Sequence, residues 1–439
     1  MIRSALPRPN GRLRPVGGGG AGGGGGGPRR RNRRLLLLVL LLLALVWGVL
    51  LRWGPSSPFP APTFNVKEAG AKGDGITDDT GVFLRVLRQA AATGRSTTVI
   101  VPPGTYLLAL DEPLPLRSGV TLRGLGRPVL KFRAITGARY GFEAVSVQGR
   151  RIRIDGIVID GGARLTRGIG IHSGSSDVQI VGSTVQDLNQ PADPKHPLST
   201  TVVAGIMIYG DTTNIAILGC TLTEISAREA APVARGIMAW SEPGRTIARR
   251  VSITGNLISY ISPREDADGI YFDQPPSPSP LSDSVISDNV IHHAAKRGIK
   301  ISAPGVVVKD NRILNPYSGD NRYLLAPKDP LPQDMYAAIS VYAGDVTVSG
   351  NIIGGPGSYY AAIEADVGTA SGVVIEHNVI ESGAGQPFPN TSGIRLGRIG
   401  GFRITGNAIG GAETPIRLSE EARLALDTGA GTMTENMAK

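Results

Sequence analysis

A nine-residue segment of alternating apolar residues recurs along this chain and constrains its fold more than any other feature. Its clearest copy, VSITGNLIS, occupies residues 251–259, with a Gly-Asn bend between two short apolar runs. Two earlier copies place Ser183 and Cys220 at the bend. Six copies place asparagine there, at Asn256, Asn289, Asn311, Asn351, Asn378 and Asn407. Strict alternation with Gly- and Asn-rich bends predicts two short strands in each copy.

A second motif, Gly or Ala followed by Ile, comes after most copies and predicts a third strand. It begins at Gly205, Gly236, Gly269, Gly298, Ala338, Ala362 and Gly393. Successive bends are 22 to 40 residues apart. This variable spacing is typical of a solenoid whose coils carry insertions of different lengths.

A coil of three short strands cannot bury its own apolar residues, but stacked coils can. Coils about 4.8 Å apart share one continuous core. Asparagine tolerates the left-handed conformation of a sharp bend, and its amide can hydrogen-bond to the asparagine one coil away. The sequence therefore predicts an all-β protein, a right-handed parallel β-helix with three strands per coil and an asparagine ladder.

The basic charge of the chain is concentrated at its N-terminus. Residues 1–52 contain ten arginines and no acidic residue, which leaves 36 of the 46 basic residues to balance the 36 acidic residues. The net charge of +10 therefore reports this segment, and we predict no nucleic-acid partner. Residues 1–34 are rich in Gly and Arg, lack apolar periodicity and are expected to form a disordered cytoplasmic tail.

Residues 35–52 are predicted to form a transmembrane signal-anchor. Leu35 to Leu51 is an uncharged run of 17 residues, enough to span a bilayer. Five arginines lie just before it, so the N-terminus should stay cytoplasmic and the rest of the chain should be extracytoplasmic. The alternative is a cleaved signal peptide and a secreted protein. Residues 53–62 are expected to be a Pro-rich stalk.

Residues 64–80, FNVKEAGAKGDGITDDT, and residues 97–106, TTVIVPPGTY, form the most recognisable segment. They resemble the N-terminal GDGxTDDT signature of the pectate-lyase-like superfamily, the pectin lyase fold shared with polygalacturonases and phage tailspikes. The resemblance implies that the acids of this motif are structural. Independently, Asp78 or Asp79 can N-cap a helix over 78–92 whose apolar stripe would cover the first coil. We place the β-helix domain at 63–418 and a C-terminal cap and tail at 419–439.

Long insertions on both sides of the third strand predict a groove with loop walls. They lie at 185–204 and 314–337 before that strand, and at 241–250 and 274–283 after it. Function gathers on such loops and on the rigid floor between them. Strand alternation predicts two rows of outward side chains on this floor. The first row is Gly170, Met207, Met238, Tyr271, Lys300, Ser340, Glu364 and Arg395, and the second is His172, Tyr209, Trp240, Asp273, Ser302, Tyr342, Asp366 and Gly397.

The candidate catalytic residues are Asp268, Asp273 and Lys300. Asp268 and Asp273 are about 16 Å apart along an extended strand, too far for a carboxylate pair, whereas Asp273 and Lys300 are diagonal neighbours about 8 Å apart. The candidate substrate-binding residues are Tyr209, Trp240, Tyr271, Arg297, Tyr342, Glu364, Asp366 and Arg395. The exposed aromatics could stack on sugar rings or form a satellite core under the loops. Glu364 and Arg395 could simply pair across adjacent coils.

The segments Asp268-Gly-Ile and Arg297-Gly-Ile-Lys resemble the N-T-D-G and R-I-K motifs of polygalacturonases. The next coil lacks the paired aspartates of those enzymes, and G-H-G is absent from the sequence. Related lyases and epimerases abstract the proton beside a uronate carboxylate, which cations neutralise. That resemblance implies Lys300 or Tyr271 as the base and Arg297 as the neutralising cation.

The sequence thus predicts a membrane-anchored, polysaccharide-active protein, a lyase or glycosidase. The alternatives are a non-catalytic carbohydrate-binding or adhesin-like surface protein and a uronate epimerase. We expect no cofactor, because no nucleotide or zinc motif occurs. Calcium held by Asp266, Asp268 and Asp273 is an alternative that their spacing disfavours. His172 is interpreted as a solvated histidine or a distal ligand contact.

Overall fold

The computed structural model describes residues 60–109, 111–133, 140–227, 233–262, 266–314, 337–354, 361–381 and 392–438. Residues 61–439 form one compact unit. The predicted tail (1–34), transmembrane anchor (35–52) and most of the stalk (53–59) lie outside the described residues. Within the described residues, no helix has the length and apolar character needed to cross a membrane.

The described strands form three long parallel sheets, because successive turns of the chain stack their strands in the same order. Sheet 1 contains Thr63–Asn65, Thr97–Val101, Val120–Gly124, Arg150–Asp155, Ser176–Val181, Thr213–Leu218, Arg249–Thr254, Ser284–Ser287, Val306–Lys309, Thr347–Ser349, Val373–Glu376, Phe402–Thr405 and Gly431–Thr434. Sheet 2 contains Asp74–Asp78, Thr105–Ala109, Val129–Arg133, Val158–Asp160, Thr184–Asn189, Thr221–Ser226, Leu257–Ser262, Val290–Ala294, Arg312–Leu314, Ile352–Gly354, Val379–Glu381, Ala408–Gly410 and Met437–Ala438. Sheet 3 contains Leu114–Arg117, Gly141–Gln148, Leu165–Ile171, Val203–Ile208, Val233–Ala239, Asp266–Phe272, Arg297–Ile301, Ala337–Val341, Ala361–Ala365, Ser392–Leu396 and Thr414–Leu418. The predicted parallel β-helix with three strands per coil is confirmed.

The bends between sheets 1 and 2 carry the asparagine ladder. Nδ2 of Asn256 donates to Oδ1 of Asn289 at 2.8 Å, and Nδ2 of Asn289 donates to Oδ1 of Asn311 at 2.8 Å. The same bond links each later asparagine of the predicted set to the next, and Asn407 extends the ladder to Asn436. Cys220 precedes the ladder, and its backbone N–H donates to Oδ1 of Asn256 at 2.8 Å. Burial raises the pKa of its thiol to about 11, which keeps it unreactive.

The Gly-Ile motif places two consecutive residues toward the core. Ile237 is fully buried. A Cβ at Gly236 would lie 2.8 Å from a side-chain atom of Ile258 in sheet 2 and 2.4 Å from the oxygen of Gly269. Only glycine fits so close an approach without displacing its neighbours. Because the pair points inward together, the residues on either side of it, Arg235 and Met238, both point outward.

Helix α1, Thr80–Ala92, covers the first coil. It buries Phe83, Leu84, Val86, Leu87 and Ala90. Asp79 occupies the N-cap position, but its side chain does not cap the helix. Instead the carboxylate accepts hydrogen bonds from the backbone N–H groups of Lys72 and Gly73 at 2.7 and 3.0 Å. The N-cap position was correctly predicted, whereas the carboxylate holds the preceding turn.

The C-terminal part of the chain also differs from the predicted cap and tail. Helix α2, Glu420–Asp427, begins at Ser419, whose Oγ accepts a hydrogen bond from the Ala422 N–H at 3.1 Å. After it, Gly431–Thr434 and Met437–Ala438 add strands to sheets 1 and 2. The Asn436 bend between them joins the ladder, so the stack continues beyond the helix.

Candidate functional site

The outer surface of sheet 3 carries both predicted rows of side chains in register. Tyr271 pairs with Met238 on one side and with Lys300 on the other. In the second row, the backbone N–H groups of Trp240, Asp273 and Tyr342 each donate to the preceding coil. Loops lie along both edges of this sheet, where the insertions fall, although residues 315–336 are outside the described residues. The rows therefore form the floor of the predicted groove.

A third outward row, which our prediction did not include, lies one residue before the Gly-Ile motif. Its members are Glu143, Arg167, Ala204, Arg235, Asp268, Arg297, Ala337, Ala361 and Ser392. All of its charged members are buried. The sequence signal was the recurring Arg-Gly-Ile at residues 167, 235 and 297. Simple alternation misses this row because Gly and Ile both face the core.

Asp268 lies within this buried row. Its Oδ2 is 3.4 Å from Nη1 of Arg235, and its Oδ1 is 3.8 Å from Nη1 of Arg297. The Asp268 side chain is 0% exposed, and neither carboxylate oxygen has a hydrogen-bond partner. A catalytic role requires contact with substrate, which this burial does not provide. The structure therefore places Asp268 in a buried position on the outer face of sheet 3, as a counter-charge for two arginines.

Arg297 belongs to a hydrogen-bonded network that continues along the floor. Its Nε donates to Oγ of Ser340 at 3.0 Å, and its Nη2 donates to the Tyr342 hydroxyl at 3.2 Å. That hydroxyl donates to Oε2 of Glu364 at 3.0 Å, and Arg395 donates to Oε1 of Glu364 at 2.8 Å. Burial raises the pKa of Tyr342 to about 12. Arg297 and Glu364 are thus occupied by protein partners.

Tyr271, Asp273 and Lys300 come together on the floor as the Tyr271 cluster. The Tyr271 hydroxyl donates to Oδ1 of Asp273 at 2.6 Å, and Nζ of Lys300 lies 4.6 Å from the centroid of the tyrosine ring. All three side chains are half-buried, so ligand can reach them. The buried Arg235 guanidinium lies 4.9 Å from the same ring centroid. The cluster therefore packs against the buried charged row through Arg235.

The protonation of Tyr271 is set by its surroundings. Burial raises the pKa of its hydroxyl, and the hydrogen bond to the Asp273 carboxylate raises it further. Its phenol is therefore protonated at neutral pH and can donate a proton but not accept one. Asp273 also accepts a hydrogen bond from the Ser241 N–H at 3.3 Å. This contact fixes the carboxylate beside the groove.

The predicted aromatic row divides into a buried part and an accessible part. Tyr209 is 6% exposed and packs with Ala204, Met207 and Met238 in a satellite cluster. Trp240 is half-buried, and its ring centroid lies 5.6 Å from that of Tyr209. The satellite core that we held as the alternative therefore accounts for Tyr209, whereas Trp240 retains a surface for a ligand.

Asp366 lies apart from the Tyr271 cluster, and the described acidic residues do not form a metal site. Asp366 pairs with the exposed Arg398 at 3.2 Å and lies three coils from Asp273, about 14 Å at the usual strand spacing. Among the described residues, no three His, Cys, Asp or Glu side chains are grouped to hold a metal ion. Asp268 is buried in the third row and Asp273 is half-buried in the second, while the side chain of Asp266 is outside the described set.

Asp268→Asn separates the structural interpretation of Asp268 from a catalytic one. Removing a buried charge beside Arg235 and Arg297 is expected to lower the free energy of unfolding by about 3 kcal/mol. Chemical denaturation measures this loss of unfolding free energy. Asp155→Asn is the control, because Asp155 forms a partly exposed ion pair with Arg153 at 3.0 Å. The control should change stability by at most about 1 kcal/mol. Unchanged stability of Asp268→Asn together with lost turnover would return Asp268 to the reaction.

Comparison with known proteins agrees with this architecture. Residues 63–186 match the family described as "Rhamnogalacturonase A/epimerase, pectate lyase-like". The resemblance to the pectate-lyase-like β-helix superfamily is thereby confirmed. The fold defines the class, a parallel β-helix protein, and its residues 63–186 are similar to that pectate-lyase-like family.

Two curated relatives match parts of the chain. Polygalacturonase ADPG1 from Arabidopsis thaliana is 51% identical over 49 residues, 11% of this chain and 11% of that protein. Mannuronan C5-epimerase AlgE4 from Azotobacter vinelandii is 36% identical over 108 residues, 21% of this chain and 19% of that protein. The chain thus spans less than a fifth of the length of either relative.

The fold itself extends over most of a solved structure. PfbA, a surface adhesin of Streptococcus pneumoniae, superposes with a TM-score of 0.57 at 15% identity, covering 86% of this chain and 91% of that one. At this identity the likeness establishes a shared β-helix and nothing more specific.

Proposed function

We propose that this protein cleaves an acidic polysaccharide by elimination, with the Tyr271 cluster as its reaction centre. The observation that carries the proposal is the 2.6 Å hydrogen bond from Tyr271 to Asp273 beside Lys300 on an accessible floor. The relatives named above include a polygalacturonase and a mannuronan epimerase. Their names point to uronate polymers, which is where the substrate class comes from.

Each member of the cluster has one role in this proposal. The Lys300 ammonium neutralises the uronate carboxylate, which makes the proton beside it more acidic. Asp273 accepts that proton, and the bond to the departing glycosidic oxygen breaks as the double bond forms. Tyr271 donates its proton to the departing oxygen and is reprotonated by Asp273. Its raised pKa keeps the phenol protonated at neutral pH, which this acid role requires.

The structure also bears on our sequence-based roles for Arg297, Lys300 and Tyr271. Arg297 is 3% exposed and bonded to Ser340 and Tyr342, so in the proposal it positions the floor and Lys300 takes over the neutralising role. Lys300 is then no longer the base. A protonated Tyr271 cannot be the base, and Asp273 takes that role.

Hydrolysis by a carboxylate pair is less well supported on the described floor. Asp273 and Asp366 are its accessible carboxylates, and they lie three coils apart, about 14 Å. Glycosidases hold their two carboxyl groups about 5 to 9.5 Å apart. Glu364 is buried against Arg395 and does not supply the missing partner.

The test is to incubate residues 61–439 with a panel of uronate and neutral polysaccharides. Elimination generates new reducing ends together with the ultraviolet absorbance of a conjugated unsaturated uronate. Reducing ends without that absorbance would indicate hydrolysis and contradict the proposed chemistry. Turnover of neutral polymers alone would contradict the substrate class.

A second candidate function is non-catalytic glycan binding. It is favoured by the internal pairing of Asp268, Arg297 and Glu364, which leaves few charged groups of the floor available for chemistry. The fold shared with the adhesin PfbA is compatible with it. Saturable binding of a polymer that yields no new reducing ends and is not epimerised would establish this function in place of the first.

We further propose that residues 35–52 anchor the protein in a membrane with the β-helix on the extracytoplasmic side. The expected result is that the full chain stays in the membrane fraction after alkaline extraction and that deletion of 35–52 releases it. N-terminal sequencing provides the control for processing. A mature chain that begins after residue 52 would show signal cleavage and contradict the anchor.

A further inference from the structure

A second polar cluster lies on sheet 3 nearer to the N-terminus. Nε2 of His172 is 2.8 Å from Oε1 of Glu143. The imidazole stacks on the Tyr209 ring, with the centroids 4.7 Å apart and the planes inclined by 17°. Arg167 donates a short hydrogen bond to the Tyr209 hydroxyl. None of the roles assigned above uses Glu143 or His172.

The space that Glu143 occupies exists because residue 170 has no side chain. A Cβ at Gly170 would lie 2.0 Å from Oε2 of Glu143 and 3.2 Å from Nε2 of His172. The next two coils place methionines at the equivalent position, Met207 and Met238. The Glu143 side chain is 4% exposed, and its Oε2 has no hydrogen-bond partner. Burying a carboxylate with one oxygen unpartnered costs desolvation free energy, so we expect this side chain to have a specific role.

That role is to fix the imidazole of His172. With Nε2 bonded to Glu143, the ring orientation is fixed and the other nitrogen, Nδ1, is left for a ligand. No described residue bonds to Nδ1, and the side chain is 30% exposed. Arg167 is held between the rings of Phe142 and Tyr209, and Glu242 accepts from Ser173 at 2.6 Å. Those nearby charges are therefore engaged with protein groups, whereas Nδ1 is open to a ligand.

We propose that His172 forms an outer subsite of the same groove, in which Nδ1 hydrogen-bonds to a glycan hydroxyl. Glu143 and Gly170 act as positioning residues for it. The subsite rests on the proposed function and specifies its ligand further. His172 lies three coils from Asp273, about 14 Å, with Trp240 between them. Only an extended oligosaccharide contacts both ends, so the ligand is a polymer recognised over several sugar rings.

The experiment measures dissociation constants for full-length protein with uronate oligosaccharides of increasing length. His172→Phe keeps the ring stacked on Tyr209 and removes Nδ1. Losing one hydrogen bond should weaken binding of long oligosaccharides about tenfold and leave short ones unchanged. His377→Phe is the matched control, since His377 is an exposed histidine at the bend after sheet 1, and it should behave like the wild type at every length.

Two further variants keep the test decisive if His172→Phe folds poorly. Gly170→Ala displaces the Glu143 carboxylate and should give the same selective loss for long oligosaccharides. Glu143→Gln can still accept from Nε2 and should retain most of the affinity. Equal affinity of wild type, His172→Phe and Gly170→Ala for long oligosaccharides would overturn the subsite alone. Failure of the wild type to bind any length would overturn the proposed function with it.

Discussion

Asp273→Asn is expected to lower the turnover number about a thousandfold, the size typical of a lost general base. The substitution keeps the shape of the side chain and an oxygen that can accept from the Tyr271 hydroxyl. It removes only the ability of Asp273 to take a proton. Glycan affinity should therefore change little. Steady-state kinetics gives the first quantity, and calorimetric titration with a long oligosaccharide gives the second.

Two controls sharpen this result. Asp155→Asn changes the same residue type on the outer face of sheet 1 and should retain full activity. Lys300→Ala should abolish turnover while binding persists. Lys309→Ala changes an exposed lysine of sheet 1 and should retain both turnover and binding. Turnover of Asp273→Asn within a few-fold of the wild type would remove Asp273 from the reaction. Matching losses in turnover and affinity would identify it as a binding residue instead.

Asn311→Ala is expected to produce the largest loss of stability. The Asn311 Nδ2 donates to the oxygens of Ile286 and Lys309 and to Oδ1 of Asn351, each at 3.0 Å. Its Oδ1 accepts from two nitrogens of Asn289. The alanine variant leaves these buried groups without partners, and a loss of about 4 kcal/mol or more follows, at roughly 1 to 3 kcal/mol for each unsatisfied group.

The control for Asn311 lies at the end of the same ladder. Asn436 is half-exposed, so water can replace its bonds to Asn407 and Ile404. Its alanine variant should lose about 1 kcal/mol. Chemical denaturation of both variants gives the comparison. Similar losses at the two positions would contradict the view that buried ladder asparagines stabilise the stack more than exposed ones.

The fold could be predicted because the sequence repeats. Asparagine bends from Asn256 to Asn407 mark six successive coils, so an error in placing one bend is corrected by the others. The stacking of Tyr271 between Met238 and Lys300 follows from that register alone. Asn436 was missed because its coil is short and follows a helix, so the chain was assigned to a tail there.

The candidate site was less predictable, because the alternation of a strand does not determine how exposed each outward side chain is. Asp268 was expected in the groove because it begins the Asp-Gly-Ile segment of the third strand, but the inward Gly269-Ile270 pair puts it in a separate row, where it is fully buried beside Arg235 and Arg297. Tyr209 was placed correctly in its row, yet the satellite cluster covers it. Glu143 was missed entirely, since nothing in its local sequence shows that Gly170 leaves space for it.

Trp240 offers the most direct test that the groove over sheet 3 is the glycan-binding site. It is the single tryptophan of residues 61–439, and it lies one coil from Asp273 on the floor. Titration of this fragment with an oligosaccharide that binds by calorimetry should change the tryptophan emission saturably, with a matching dissociation constant. Binding that leaves the emission of Trp240 unchanged, and that survives unaltered in Trp240→Phe, would place the ligand elsewhere and contradict the account.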